Sequence, residues 1–168
     1  MIREGNDMKL YLKQKVFSWR DRFFVKNENG TDCYAIQGEI LSWGKKLHVY
    51  DMNGTEVAFI RQKVLSWSPR FFVEINGHGV CEIVKEITFF RQKYRLEGLP
   101  WRLDGNFWAH EYSLTANERQ IMRLSKKWLT WGDSYELDIA DSQDALLCLC
   151  IALAVDCALA MQNSAARS

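Results

Sequence analysis

The twelve residues from Gln14 to Val25, QKVFSWRDRFFV, return 48 positions later as QKVLSWSPRFFV, from Gln62 to Val73, with nine identities. A fainter third copy, KKWLTWGDSYEL, runs from Lys126 to Leu137. Each copy reads as one strand-turn-strand unit. A unit reused along a chain fixes architecture, because each copy needs its neighbours to cover its apolar face.

Short alternating segments dominate the first 140 residues, and period-two alternation is the mark of a strand with one buried face. Turn dipeptides at Asn29-Gly30, Asn53-Gly54 and Asn76-Gly77 punctuate them, and Asn-Gly is a strong hairpin signal. Strands are expected at 9–14, 22–27, 32–38, 46–51, 56–62, 70–75, 79–85, 90–97, 101–104, 110–115, 119–125 and 134–138, about twelve in all. The two prolines, Pro69 and Pro100, fall at turns or strand starts, where a sheet tolerates them. A weak echo aligns 34–39 with 101–106 and 48–67 with 112–131, which suggests two halves of about six strands.

The pattern changes after Asp141. Asp141 or Ser142 suits a helix N-cap, Asp144 adds negative charge to the first turn, and positions 145–161 are then apolar except for Asp156. No single face carries the apolar residues, so a surface helix is excluded. The unbroken run of 145–155 is shorter than the roughly 20 residues a bilayer requires, and Ala152, Ala154, Ala158 and Ala160 let strands approach closely. A helix at about 142–162, enclosed by protein, is the expectation. Tails at 1–7 and 164–168 then flank a single domain at 8–163, as 168 residues suit one core.

Lys and Arg number 22 against 21 Asp and Glu, which removes the global basic field of a dedicated nucleic-acid binder. Cys33, Cys81, Cys148, Cys150 and Cys157 form no C-x-x-C pair or Cys/His cluster, and read as free thiols of a reducing cytosol. Residues 1–7 lack the apolar core of a signal peptide. A cytoplasmic protein without metal or cofactor is expected.

The segments Leu41-Ser42-Trp43-Gly44, Val64-Leu65-Ser66-Trp67, Phe89-Phe90-Arg91-Gln92-Lys93-Tyr94, the run from Trp128 to Ile139, and Ile151-Ala152-Leu153-Ala154-Val155-Asp156-Cys157 closely resemble the LURP-one-related family over about 8–161. The resemblance implies a mainly β fold shared with tubby C-terminal domains and phospholipid scramblases: a closed antiparallel barrel of about twelve strands around its hydrophobic C-terminal helix. It implies no established molecular activity. Tubby domains bind phosphoinositide headgroups, partly through a Lys-x-Arg pair; scramblases are associated with lipid movement and calcium; plant relatives are linked to defence. Fold does not transfer function, so each possibility is weighed on residues.

Arg91, Lys93 and Arg95 alternate along one expected strand and should share a face, a candidate contact for anionic headgroups, with Lys93-x-Arg95 spelled as in the tubby pair. Solubility alone also places Lys and Arg on outer faces, and Lys13-x-Lys15, Arg20-x-Arg22 and Arg61-x-Lys63 share the spelling. Trp19, Trp43, Trp67 and Trp131 follow Ser or Thr at turns; such Trp residues more often plug barrel ends as core than form an exposed belt for a membrane interface. Asp156 is the anomaly within the apolar helix, expected near the helix's far end against water, backbone N–H groups or an Arg. His48, His78 and His110 are scattered without a neighbouring nucleophile, and Asp51-Met52-Asn53-Gly54-Thr55-Glu56 lacks the spaced carboxylates of a calcium loop. The leading expectation is a non-enzymatic binding protein, tethering to anionic phospholipid headgroups at the inner membrane surface or to a protein partner. Its rival is a membrane-inserted, scramblase-like protein whose helix spans a bilayer.

Overall fold

The computed structural model describes residues 6–13, 22–39, 43–129 and 132–165. Twelve strands precede one helix. The first eight are β1 (Met8–Lys13), β2 (Phe23–Asn27), β3 (Asp32–Gly38), β4 (Lys46–Tyr50), β5 (Glu56–Gln62), β6 (Arg70–Ile75), β7 (His78–Glu86) and β8 (Lys93–Glu97). Four more follow: β9 (Arg102–Asn106), β10 (Glu111–Ala116), β11 (Arg119–Leu129) and β12 (Gly132–Ile139). A single 3-10 turn, Ser142–Asp144, leads into α1 (Ala145–Ala165).

The strands form one sheet in the order β8-β7-β6-β5-β4-β3-β2-β1-β12-β11-β10-β9. Every adjacent pair is antiparallel, and Met8 to Lys13 of β1 lie against Ile139 to Ser134 of β12, which curls the sheet into a nearly closed barrel. The break falls between β8 and β9. No backbone hydrogen bond joins these two strands among the described residues, so they are the sheet's two edges. The expected halves of six strands do not appear as units; the seam divides the chain after its eighth strand. The strand expected at 90–97 begins only at Lys93. Its missing start has a physical reason: Phe89 and Phe90 are both fully exposed, and two consecutive outward apolar residues cannot follow a pleat.

Turn chemistry fixes the hairpins. Asn76 and Gly77 have φ of 50° and 77°, the paired positive values of a two-residue type I′ turn. Asp51 Oδ1 accepts from the backbone N–H of Asn53 at 2.9 Å and of Thr55 at 2.8 Å. Asn27 Oδ1 does the same for Asn29 and Thr31. The segment that resembles a calcium loop is thus a hairpin turn held by its own first carboxylate.

Helix α1 supplies the core. Asp141 caps the segment, accepting from Gln143 N–H at 3.0 Å, and residues 148–155 are buried without interruption. They meet the inward residues of the strands, among them Leu10, Ile36, Leu47, Ile60, Phe71, Ile83, Leu114 and Leu137. A helix surrounded by apolar strands needs no polar face, which explains the apolar run without a membrane. Because strands alternate in direction, connections from odd to even strands all lie at one end of the barrel. Ser142 N–H donates to Asn6 O at 2.9 Å, so α1 enters at the opposite end and runs toward the odd-to-even connections.

Candidate functional site

The end of the barrel toward which α1 runs collects the exposed apolar side chains. Trp43 of the β3–β4 connection is 85% exposed, and Leu65 and Trp67 of β5–β6 are fully so. Ile87, Phe89 and Phe90 of β7–β8 and Trp108 of β9–β10 are exposed as well. Among the remaining large exposed apolar residues that the structure describes, Val64 stands beside Leu65 at this end, Phe24 lies on β2, and Met52 alone belongs to the opposite end. The expectation that the repeated Trp residues plug the barrel as core is therefore corrected for Trp43 and Trp67. Helix α1 already fills the interior, and Trp43 and Trp67 fall in connections rather than on inward strand positions. Trp19 and Trp131 lie outside the described residues.

Charge follows the same axis. Lys45, Lys63, Arg91 and Lys93 belong to the aromatic end, together with the acids Glu39, Glu86 and Glu111, whereas Glu28, Asp51, Asp141 and Asp144 sit in the connections of the opposite end. The near-zero net charge conceals a polarised molecule. At low ionic strength such a field orients approach to a charged surface.

The seam between β8 and β9 opens as a cleft of about 770 Å³. Arg91, Lys93 and Arg95 all line it, so the structure brings together the three expected cations. Lys93 and Arg95 share the outer face of β8, as alternation requires; Arg91 precedes the strand and reaches the cleft from the connection. Arg95 is engaged by Glu97 at 2.8 Å and Glu86 at 3.8 Å. Neither Arg91 nor Lys93 has an ion pair among the described residues. Phe90, Trp101, Phe107 and Trp108 add aromatic walls, and Arg102 and Asp104 complete the polar rim. Two residues of the cleft wall carry buried polar atoms, Gln92 Oε1 and Tyr94 Oη, that lack a hydrogen-bond partner among the described residues. Buried polar atoms of this kind are normally satisfied.

Asp156 has a partner that sequence spacing did not reveal. His110, in the β9–β10 connection at a φ of 54°, approaches Asp156 Oδ1 through Nε2 at 3.2 Å. Its ring stacks on Tyr135 with centroids 4.7 Å apart. Burial raises the Asp156 carboxyl, and the His110 hydrogen bond and charge act in the opposite direction. Burial, and then the Asp156 charge, also raises the phenols of Tyr94 and Tyr112. The space beside the pair, lined by Leu12, Leu124, Leu153 and the two tyrosines Tyr112 and Tyr135, holds about 20 Å³. That is room for a water and not for a substrate. Asp156 thus meets a histidine, rather than an Arg or backbone N–H groups.

The other histidines stay apart. His48 bridges Glu56 at 2.7 Å and Glu39 at 3.0 Å on the outer surface, while His78 opens β7. Among the described residues no three His, Cys, Asp or Glu side chains converge as metal ligands. All five cysteines are free thiols, four of them buried.

A nearly closed twelve-stranded β-barrel filled by an apolar C-terminal helix, with a cleft at the seam between β8 and β9, is the class of protein that the fold defines. The chain belongs to the LURP-one-related family, whose model matches residues 8–156. It is 40% identical over 152 residues to the uncharacterised protein YxjI of Bacillus subtilis (strain 168), covering 90% of this chain and 94% of that one. Its fold is similar to the X-ray structure of an Arabidopsis thaliana protein, with a TM-score of 0.60 over 89% of this chain and 90% of that chain, at 13% identity.

Proposed function

We propose that the protein is a non-enzymatic tether that docks on anionic membrane surfaces, on the cytoplasmic side, through the aromatic and basic end of its barrel. The observation that carries this reading is the shared placement of exposed Trp43, Trp67, Phe89 and Phe90 with Arg91 and Lys93. Indole and phenyl rings favour the headgroup boundary, and cations add attraction to anionic lipid. The enclosed helix supports docking over spanning, because its apolar surface is already covered by strands.

Sedimentation with anionic and with neutral vesicles tests the reading. Arg91→Gln with Lys93→Gln should weaken binding to anionic vesicles tenfold or more, since each cation near the surface contributes about 1 kcal/mol. Trp67→Ala with Phe90→Ala should weaken it as well, and salt should weaken the wild type. These side chains are exposed, so folding should be preserved. A wild type that stays in the supernatant with anionic vesicles, or variants that sediment as it does, would sink the proposal.

A further inference from the structure

Five of the described residues other than glycine have a positive φ: Leu65, Asn76, His110, Asn117 and Glu118. In the left-handed region Cβ crowds the backbone carbonyl, so glycine and asparagine are at home there and a bulky side chain is out of place. Four of the five have an account within the fold. Asn76, and Asn117 with Glu118, stand in the two-residue hairpin turns β6–β7 and β10–β11, whose twist demands these values. His110 is held by Asp156 and by the ring of Tyr135. Leu65, at a φ of 61°, has no such account: its side chain is 96% exposed and adds nothing to the interior.

Neighbouring structure holds the strained turn in place. Lys63 N–H donates to Arg70 O at 2.8 Å across the base of the β5–β6 connection. On one side Lys85 N–H donates to Pro69 O at 2.9 Å and Ser68 Oγ donates to Lys85 O, which ties the turn to the end of β7 that leads into Phe89 and Phe90. On the other side Lys45 N–H donates to Gln62 Oε1 at 2.9 Å, and a Cβ on Gly44 would come within 3.0 Å of Val64 Cγ2. The connections bearing Trp43, Leu65 with Trp67, and Phe89 with Phe90 are thus joined side by side into one rim. A strained aliphatic tip that packs on nothing in its own chain is a surface for contact outside it. Leu65 and Trp67 project with almost all of their surface free, a convex tip that suits a fluid phase whose molecules part around it, and exposed Lys63 beside them suits an anionic one.

We propose that the turn at 64–67 inserts beyond the headgroups of the bilayer, Leu65 leading, so that the protein selects loosely packed anionic membranes. This rests on the membrane docking proposed above and adds the depth of contact and the lipid property that is sensed. The test compares vesicles with the same fraction of phosphatidylserine, one set with unsaturated chains and one with saturated chains in the gel state. The wild type should bind the unsaturated set at least tenfold more strongly. Leu65→Gly and Leu65→Asn, both of which accept a positive φ, should weaken binding to that set about tenfold, the worth of one buried leucine side chain, and should keep the salt dependence. The urea midpoint of Leu65→Gly should not fall, because glycine relieves the strain. Arg91→Gln with Lys93→Gln should instead weaken binding to both sets alike. A wild type that binds both sets equally, Leu65 variants that bind the unsaturated set as the wild type does, or a lowered urea midpoint for Leu65→Gly would overturn the insertion and leave electrostatic docking standing. A wild type that binds neither set would remove both.

Discussion

Asp156 and His110 are 46 residues apart and touch because the barrel carries the β9–β10 connection over the twelfth residue of α1. The anomaly of a carboxylate in an apolar helix was legible in the sequence; its partner was not, since that contact exists only once the barrel has formed around the helix. Burial lifts the Asp156 carboxyl above its ordinary 3.8, so the folded state holds this proton more tightly than the unfolded chain. The cost of ionising it is fully present above the folded value and vanishes as pH falls toward the unfolded one. Asp156→Asn should therefore gain stability relative to wild type near neutrality and lose that advantage on acidification; urea midpoints of both proteins across that range measure it. A difference independent of pH would show that another group carries the burden. The thiols make a second residue-scale prediction. Burial pushes Cys81 up to about 12 and Cys148, Cys150 and Cys157 higher still, while Cys33 is raised but partly accessible. A thiol reagent should label Cys33 first in the native protein and the other four only after unfolding, as judged by mass spectrometry.

At the scale of elements, helix α1 is where packing energy concentrates. Leu149 and Leu153 are at most 3% exposed, and each truncation to Ala should cost about 2–5 kcal/mol in denaturant unfolding. A loss well below that range would mean that the strands do not enclose the helix. Strands and turns were legible because their signals are local: alternation names the buried face, and Asn-Gly names the reversal. The start of β8 was not, because the seam is decided by whether Ile87 to Gln92 find a neighbouring ladder, and local pattern holds no record of that. Hydrogen exchange should report the difference. Outward-facing amides of β8 and β9 should exchange well before those of the β1–β12 ladder, which pairs along all six residues of β1.

For the whole molecule, the polarity of the barrel matters more than its net charge. Formal charges that almost cancel in the sequence separate once alternate connections are gathered at opposite ends, and the aromatic residues separate with them. Neither was legible from composition, although the copy at 62–73 places its turn at the aromatic end. If that end faces a bilayer, lipids brominated near the headgroup should quench tryptophan emission in anionic vesicles, and Trp67→Phe should lose part of the quenching. Undiminished emission would argue against this orientation. The position of the helix after all twelve strands also governs how such a protein comes to exist in a cell. A ribosome delivers eleven strands with their apolar face uncovered before it delivers β12, the closing partner of β1, and only then α1. During that interval the nascent sheet is exposed to aggregation, and productive synthesis depends on shielding it until the last segment arrives.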